Sequence, residues 1–221
     1  MIVSFATYRE QHVAFLNKAV KSVDLTLAHL EGRSYGPETH KGPMVISSDP
    51  SEDNLGSKLV TLQSVQQLKD IAGVADDHFA ANPHADRSVR YPTEPVQTDF
   101  DKAIERARND NCALESLIHP ADHNTIGQAM LAFVNGNSQK VKAFEPVINA
   151  LRFPNQVLLT TGQDITVTPG NPLVIGPNSP YVTQDPVLGA VAIFGTVTVQ
   201  QGGQIQILIP VTFKAAQINM L

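Results

Sequence analysis

Apolar residues recur at helical spacing through the first 152 positions and alternate with polar ones after that. Val13, Leu16, Val20, Val23, Leu27 and Leu30 stand three or four residues apart. That spacing puts one apolar stripe on a helix, with Gly32 at its C-cap. The run spans about two and a half heptads, short of a coiled coil, so the stripe is expected to pack into a bundle.

Four more helices are expected. Ser64 with Gln67 forms a capping-box pattern before Val65, Leu68, Ala72, Ala75 and Phe79. A third helix opens at Thr98 with Asp101 as its acid, carries Phe100, Ile104, Ala107 and Leu114, and is stopped by His119-Pro120. A fourth runs from Pro120 or Asn124 through Ile126, Met130 and Phe133 to Asn135, where Gly136 ends it. A fifth spans Ser138 to Leu151, with Pro146 imposing a kink or a late start. Residues 33–63 and 82–97 read as long loops, which are usually functional or disordered.

From Phe153 on, the chain reads as strands at Gln156–Thr161, Asp164–Thr168, Pro172–Ile175, Val187–Gln200 and Gly203–Lys214, broken by PGNP and GPNSP. Val191, Ile193, Val197 and Val199 are expected on one face, and Ile205, Ile207, Ile209, Val211 and Phe213 on a face of the next strand. Gln201-Gly202-Gly203 reads as a hairpin turn between the two, giving an antiparallel ribbon. The phrase GTVTVQQGGQIQI resembles one rung of a β-solenoid, but no repeat of constant period accompanies it. The expected fold class is therefore α+β by segregation. A helical N-terminal half (1–152) precedes an antiparallel, β-sandwich-like C-terminal half (153–221).

Charge sharpens the division. The 221 residues include 16 Lys and Arg and 21 Asp and Glu, for a net charge of −5. Beyond Arg152 only Asp164, Asp185 and Lys214 are charged. The acidic balance argues against a nucleic-acid partner, whose phosphates demand clustered Lys and Arg. No run of about 18 apolar residues is present, so no transmembrane helix is expected. The start MIVSFATYREQ lacks the features of a secretory signal, which makes the default address cytoplasmic while leaving assembly into a particle or virion open. Cys112, the one cysteine, allows no intrachain disulfide.

Candidate chemistry is sparse. His119 and His123 flank Pro120-Ala121-Asp122, and with His78 or His84 they could hold zinc. The pattern is not His-Glu-x-x-His, and Pro120 places His119 at or before a helix start. Cys112 falls inside an expected helix, the wrong place for an activated thiol. The acidic stretch SSDPSEDN does not follow the order of an EF-hand. Arg87, Arg90 and Tyr91, and separately Lys140 and Lys142, are too sparse for a nucleic-acid face. No phosphate-binding glycine loop and no Gly-x-Ser-x-Gly elbow occurs.

An uncharged sheet can meet a copy of itself without desolvating charge. Natural sheets usually block such pairing with edge lysines. The leading expectation is a non-enzymatic, self-assembling structural protein, the subunit of a particle, filament or tail-like assembly. Its interface would be the neutral face of Thr196, Thr198, Gln200, Gln204, Gln206 and Thr212. The alternatives are a metal-dependent enzyme centred on His119 and His123, and a module that binds a partner or glycan through the neutral β face.

Overall fold

A computed structural model describes residues 5–23, 33–82, 84–176 and 187–221. The chain forms two compact units that are not sequence halves. One contains residues 1–61 and 155–221, and the other residues 62–154. The β unit thus takes in the first helix and two strands from the segment that reads as a long loop, and the helical unit is inserted within it.

The β unit opens with α1 (Phe5–Ser22) and contains β1 (Met44–Ile46), β2 (Lys58–Leu62), β3 (Asn155–Val167), β4 (Leu173–Ile175), β5 (Val187–Val199), β6 (Ile205–Ile207) and β7 (Val211–Met220). The strands form two sheets, ordered β2-β3-β5-β7 and β1-β4-β6. β3, β5 and β7 are parallel neighbours, and so are β1, β4 and β6. This overturns the antiparallel arrangement expected from the sequence. Val199 does not turn back on itself at Gln201-Gly202-Gly203. The chain instead rounds a corner into the other sheet, where β6 joins β4, and rounds another before β7 joins β5. Alternation with period two is the same in parallel and antiparallel strands, so it could not reveal the partner.

The result is a short solenoid in which each turn of chain lies on the turn before. Side chains stack in columns through the interior: Met44 on Leu173 on Ile205, Ile46 on Ile175 on Ile207, and Ile165 on Val197 on Ile218. Val167, Val199 and Met220 form a fourth column. The core gathers Met44, Ile46, Leu158, Ile165, Leu173, Ile175, Phe194 and Val197, with Phe213 packed against it. The alternation slips one position between Phe194 and Val197. Ala190, Ala192 and Phe194 therefore face the core, whereas Val191 and Ile193 are buried outside it. That slip corrects the expectation that Val191, Ile193, Val197 and Val199 share a face.

The corners explain how the chain winds. Gly202 has φ +78°, a conformation that side chains with a Cβ avoid. In the preceding corner, buried Asn171 donates from Nδ2 to the carbonyls of His40 (2.8 Å) and Gly42 (3.0 Å), and its Oδ1 accepts from Thr168 Oγ1 (3.2 Å). One amide thereby fastens two successive turns.

α1 packs on β5 and β7. Its buried face is His12, Leu16, Ala19 and Val23, while Val13 is exposed, so the stripe is rotated from the one the apolar spacing suggests. The small Ala19 side chain leaves room for close helix–sheet approach. Leu27, Leu30 and Gly32 lie outside the described residues.

The helical unit contains α2 (Val65–Ala72), α3 (Asp76–Ala81), α4 (Phe100–Asn109), α5 (Asp122–Asn135) and α6 (Glu145–Arg152), with short 3-10 turns at Ala85–Ser88, Leu114–Leu117 and Ser138–Phe144. Its core joins Val65, Ile104, Ile126, Phe133, Val147 and Ile148. Ser64 caps α2 by accepting from Gln67 N, as the capping pattern implies. The single helix expected over 64–79 is split at Gly73, where a Cβ would stand 2.3 Å from Val134 O. The third helix starts from Asp99 and stops at Asn109. Asn111 follows with φ 49°, so Cys112 is outside the helix. Pro146 sits in the first turn of α6, a late start rather than a kink.

Two buried polar groups tie this unit together. Lys69, only 2% exposed, donates to the carbonyls of Phe133 (2.9 Å) and Gly136 (2.7 Å) and pairs with Asp76 at 3.1 Å. A cation here satisfies the orphan carbonyls at the C-terminal end of α5. Asp122, 1% exposed, accepts from Gln97 N, from Thr98 N (2.8 Å) and from Thr98 Oγ1 (2.6 Å), fixing the approach to α4. Burial pushes the Asp122 carboxyl up, but these hydrogen bonds outweigh it and hold the group below its ordinary value.

Two outcomes follow from these buried groups. Asp122→Ala removes the acceptor shared by Gln97 N, Thr98 N and Thr98 Oγ1 and should lower unfolding free energy by about 2 kcal/mol in urea titration, given roughly 1.5–3 kcal/mol for a hydrogen bond to a charged group. His12 is buried with no partner on either ring nitrogen among the described residues, and burial lowers its pKa against the opposing pull of Asp164. The unfolded chain therefore binds the proton more readily than the native one. Stability should be full above the ordinary histidine value near 6.5 and fall as pH drops below it. Thermal melts at pH 7.5 and 5.5 should show this loss, and His12→Leu should reduce it.

Candidate functional site: the open end of the β unit

Among the described residues, no group of three or more His, Cys, Asp or Glu side chains is gathered as a metal-binding set. His78 on α3 and His84 beside the Ala85–Ser88 turn are exposed. His119 precedes α5 and its Nδ1 accepts from Ala121 N (3.2 Å). His123 is half-buried in the first turn of α5. Asp122, in the first turn of α5 between these two histidines, has a structural role.

The acidic stretch and the group around Tyr91 and Lys140 are engaged in hydrogen bonds and ion pairs. Asp53 accepts from Ser47 N (3.1 Å) and Ser57 N (2.8 Å), and Asp49 from Ser51, so the acidic stretch is a hydrogen-bonded loop. Tyr91 donates to Asp86 and accepts from Asn137 N (2.8 Å), while Lys140 pairs with Asp86 and lies over the Tyr91 ring. Burial and the Asp86 carboxylate push the Tyr91 hydroxyl up to about 12. A groove between α4 and α6, lined by Asp101, Glu105, Arg108, Pro146 and Asn149, opens widely to solvent and brings no nucleophile to a base.

The six neutral residues expected to form an interface do not share a surface. Thr196 and Thr198 lie on β5, opposite the core-facing Val197 and Val199. Gln206 lies on the other sheet, and Gln204 just precedes its strand. Gln200 stands at the corner, and Thr212 stacks beside buried Val191. The feature these residues surround is the last turn of the solenoid.

Exposure along each interior column is graded. In the first, Met44 and Leu173 are fully buried and Ile205 is 37% exposed. In the next, Ile46 and Ile175 are fully buried and Ile207 is 58% exposed. Ile165 and Val197 give way to Ile218 at 59%, and Val167 and Val199 to Met220 at 74%. The inward-facing residues of the final turn have a neighbour on one side only. β6 and β7 stand at the sheet edges with no strand beyond them among the described residues. Every second backbone amide and carbonyl of such an edge points outward, a ready template for another strand.

At the opposite end the edge of the β1-β4-β6 sheet is closed. Met44 N and Ile46 O are used by β4, which turns the polar groups of Val45 outward. Asn54 takes both: its Oδ1 accepts from Val45 N (2.8 Å), and its N donates to Val45 O (3.1 Å). Leu55 is buried in the core, and its carbonyl accepts from the Tyr35 hydroxyl (2.9 Å). The loop of residues 47–57, with its serine–carboxylate bonds, is the cap over the β1 edge. Its sequence signal was the alternation of Ser with Asp and Glu, whose side chains satisfy turn backbones.

Comparison with protein-family models, curated proteins and solved structures gives no match. No helix among the described residues is long and apolar enough to cross a membrane.

The graded columns predict unequal costs for one chemistry. In dilute protein, Ile165→Ala and Ile175→Ala should each cost about 2–5 kcal/mol in urea unfolding. Ile207→Ala and Ile218→Ala, in the same columns, should cost under about 1 kcal/mol, because less than half of each side chain is removed from water.

Proposed function

We propose that this chain is a non-enzymatic structural subunit that self-associates through its charge-poor β unit. The observation that carries this reading is the open edge of β6 and β7: strand edges with no strand beyond them among the described residues, and apolar side chains at interior positions left exposed. Ile207, Leu208, Ile218, Met220 and Leu221 are each more than half exposed. Isolated surface apolar residues need no explanation, but exposed apolar residues set along unpaired strand edges mark an interaction site.

Chemistry on the strands supports the same reading. Lys214 is the one charged residue on β6 and β7, and its ammonium lies over the Phe15 ring at 5.6 Å. Joining two such ends buries little charge, and so incurs little of the desolvation that opposes most contacts between charged surfaces.

Self-association makes mass depend on concentration. Multi-angle light scattering across a hundredfold dilution should show species heavier than the 23.9 kDa chain that dissociate toward it. Ile218→Lys should shift that dissociation to concentrations at least tenfold higher with the circular dichroism spectrum unchanged. A monomer at every concentration overturns the proposal.

A further inference from the structure

We infer that the occupant of the open end is a second copy of this chain, joined about a two-fold axis with β7 antiparallel to β7 of its partner. The inference rests on the self-association proposed above and adds its symmetry.

The first argument is the sealed opposite end. Head-to-tail stacking would need the open turn of one copy to meet the first turn of the next. There Asn54 already occupies both outward groups of Val45, and Met44 and Ile46 are fully buried. With the β1 edge taken by Asn54, the β1-β4-β6 sheet offers β6 no free edge to stack on among the described residues, and the open end meets its own kind. That contact is isologous and closes at two copies.

The second argument is the order of residues along β7. Val211 and Phe213 face the core in the first half of the strand. The slip in alternation then places Ile218 and Met220 on the interior columns in the second half. Reversed about the midpoint between Ala215 and Ala216, this pattern maps onto itself. Antiparallel pairing about that midpoint sets Val211 opposite Met220 of the partner and Phe213 opposite Ile218 of the partner. Interior residues then meet interior residues, and the small alanines occupy the axis. Without the slip, an even-length strand would put core-facing residues opposite outward ones, because the side-chain period is two.

Charge fits the same register. Lys214 falls opposite Gln217 of the partner rather than opposite its own copy, and Thr212 falls opposite Asn219. A parallel pairing in register would place the two lysines side by side, a destabilising arrangement. β6 can continue its own sheet across the same axis, where the exposed Ile205 and Ile207 are covered.

Disulfide trapping in the full-length chain with Cys112→Ser tests the register. Thr212→Cys and Asn219→Cys are prepared separately, mixed at a concentration where the chain associates, and oxidised. The expected result is a cross-linked dimer from the mixture and little from either variant alone. Light scattering on the same samples should give twice the mass of the chain and nothing larger. A ladder of heavier species, or same-site cross-links in place of the mixed one, overturns the two-fold pairing while self-association stands. A monomer by light scattering in the unmodified chain overturns both. Wild-type melting behaviour of each variant before oxidation shows that folding is intact.

Discussion

Stacking of one turn of chain on the next is the contact on which the β unit depends. No turn of this solenoid can bury its interior residues alone. Leu173 and Ile175 are buried because β1 lies on one side of them and β6 on the other. Stability in such an array is close to a sum of neighbour terms, so the ends carry the deficit. This chain treats its two ends differently. At one, a serine- and carboxylate-rich loop folds over the edge and Asn54 completes the hydrogen bonding of β1. At the other, nothing equivalent is present among the described residues, and the interior columns run out into solvent.

The helical unit is organised by a different device. Its helix ends meet through charged groups withdrawn from water: Lys69 against the last carbonyls of α5, and Asp122 against the amides that lead into α4. Ser138 donates to Asp76 through both its amide and its hydroxyl, and Asp76 in turn pairs with Lys69. Burial pushes the Asp76 carboxyl up, yet Ser138 and the Lys69 ammonium hold it below its ordinary value. Removing one member of such a set costs far more than the pair contributes, because the remaining group is left without compensation.

Much of the helical unit was legible in the sequence. Ser64, Gly136 and the apolar rhythm through Ile126 and Phe133 mark real boundaries, because caps and 3.6-residue spacing are local properties. The strands were legible as strands for the same reason. Their partners were not. Asp164 pairs with Thr196, 32 residues on, and Val199 pairs at a different interval with Met220, so unequal turns hid the repeat. β1 and β2 were missed because three and five residues flanked by polar turns carry too little pattern to stand out. The open end was half visible. The scarcity of charge drew attention to the strands, and the alternation drew it to the Thr and Gln face rather than to the strand edge. The slip near Gly195, which decides which side chains face inward, is a tertiary feature that strict alternation conceals.

The helical unit interrupts the winding between β2 and β3, and this has a consequence for synthesis. The amide of Asn171 grips the carbonyl of His40 across 131 residues, and Ser57 meets Thr160 across 103. On a ribosome, the first turn of the solenoid emerges well before the strand that must lie against it. Loop closure over such a span costs only about 0.6 kcal/mol more for each doubling of length, so the native state loses little by the insertion. The nascent chain is affected in time rather than in energy: Met44, Ile46 and Leu55 wait uncovered while an entire helical body is translated. A chaperone that binds short apolar segments would find its target in residues 44–62, and a stalled chain ending before residue 160 would display it.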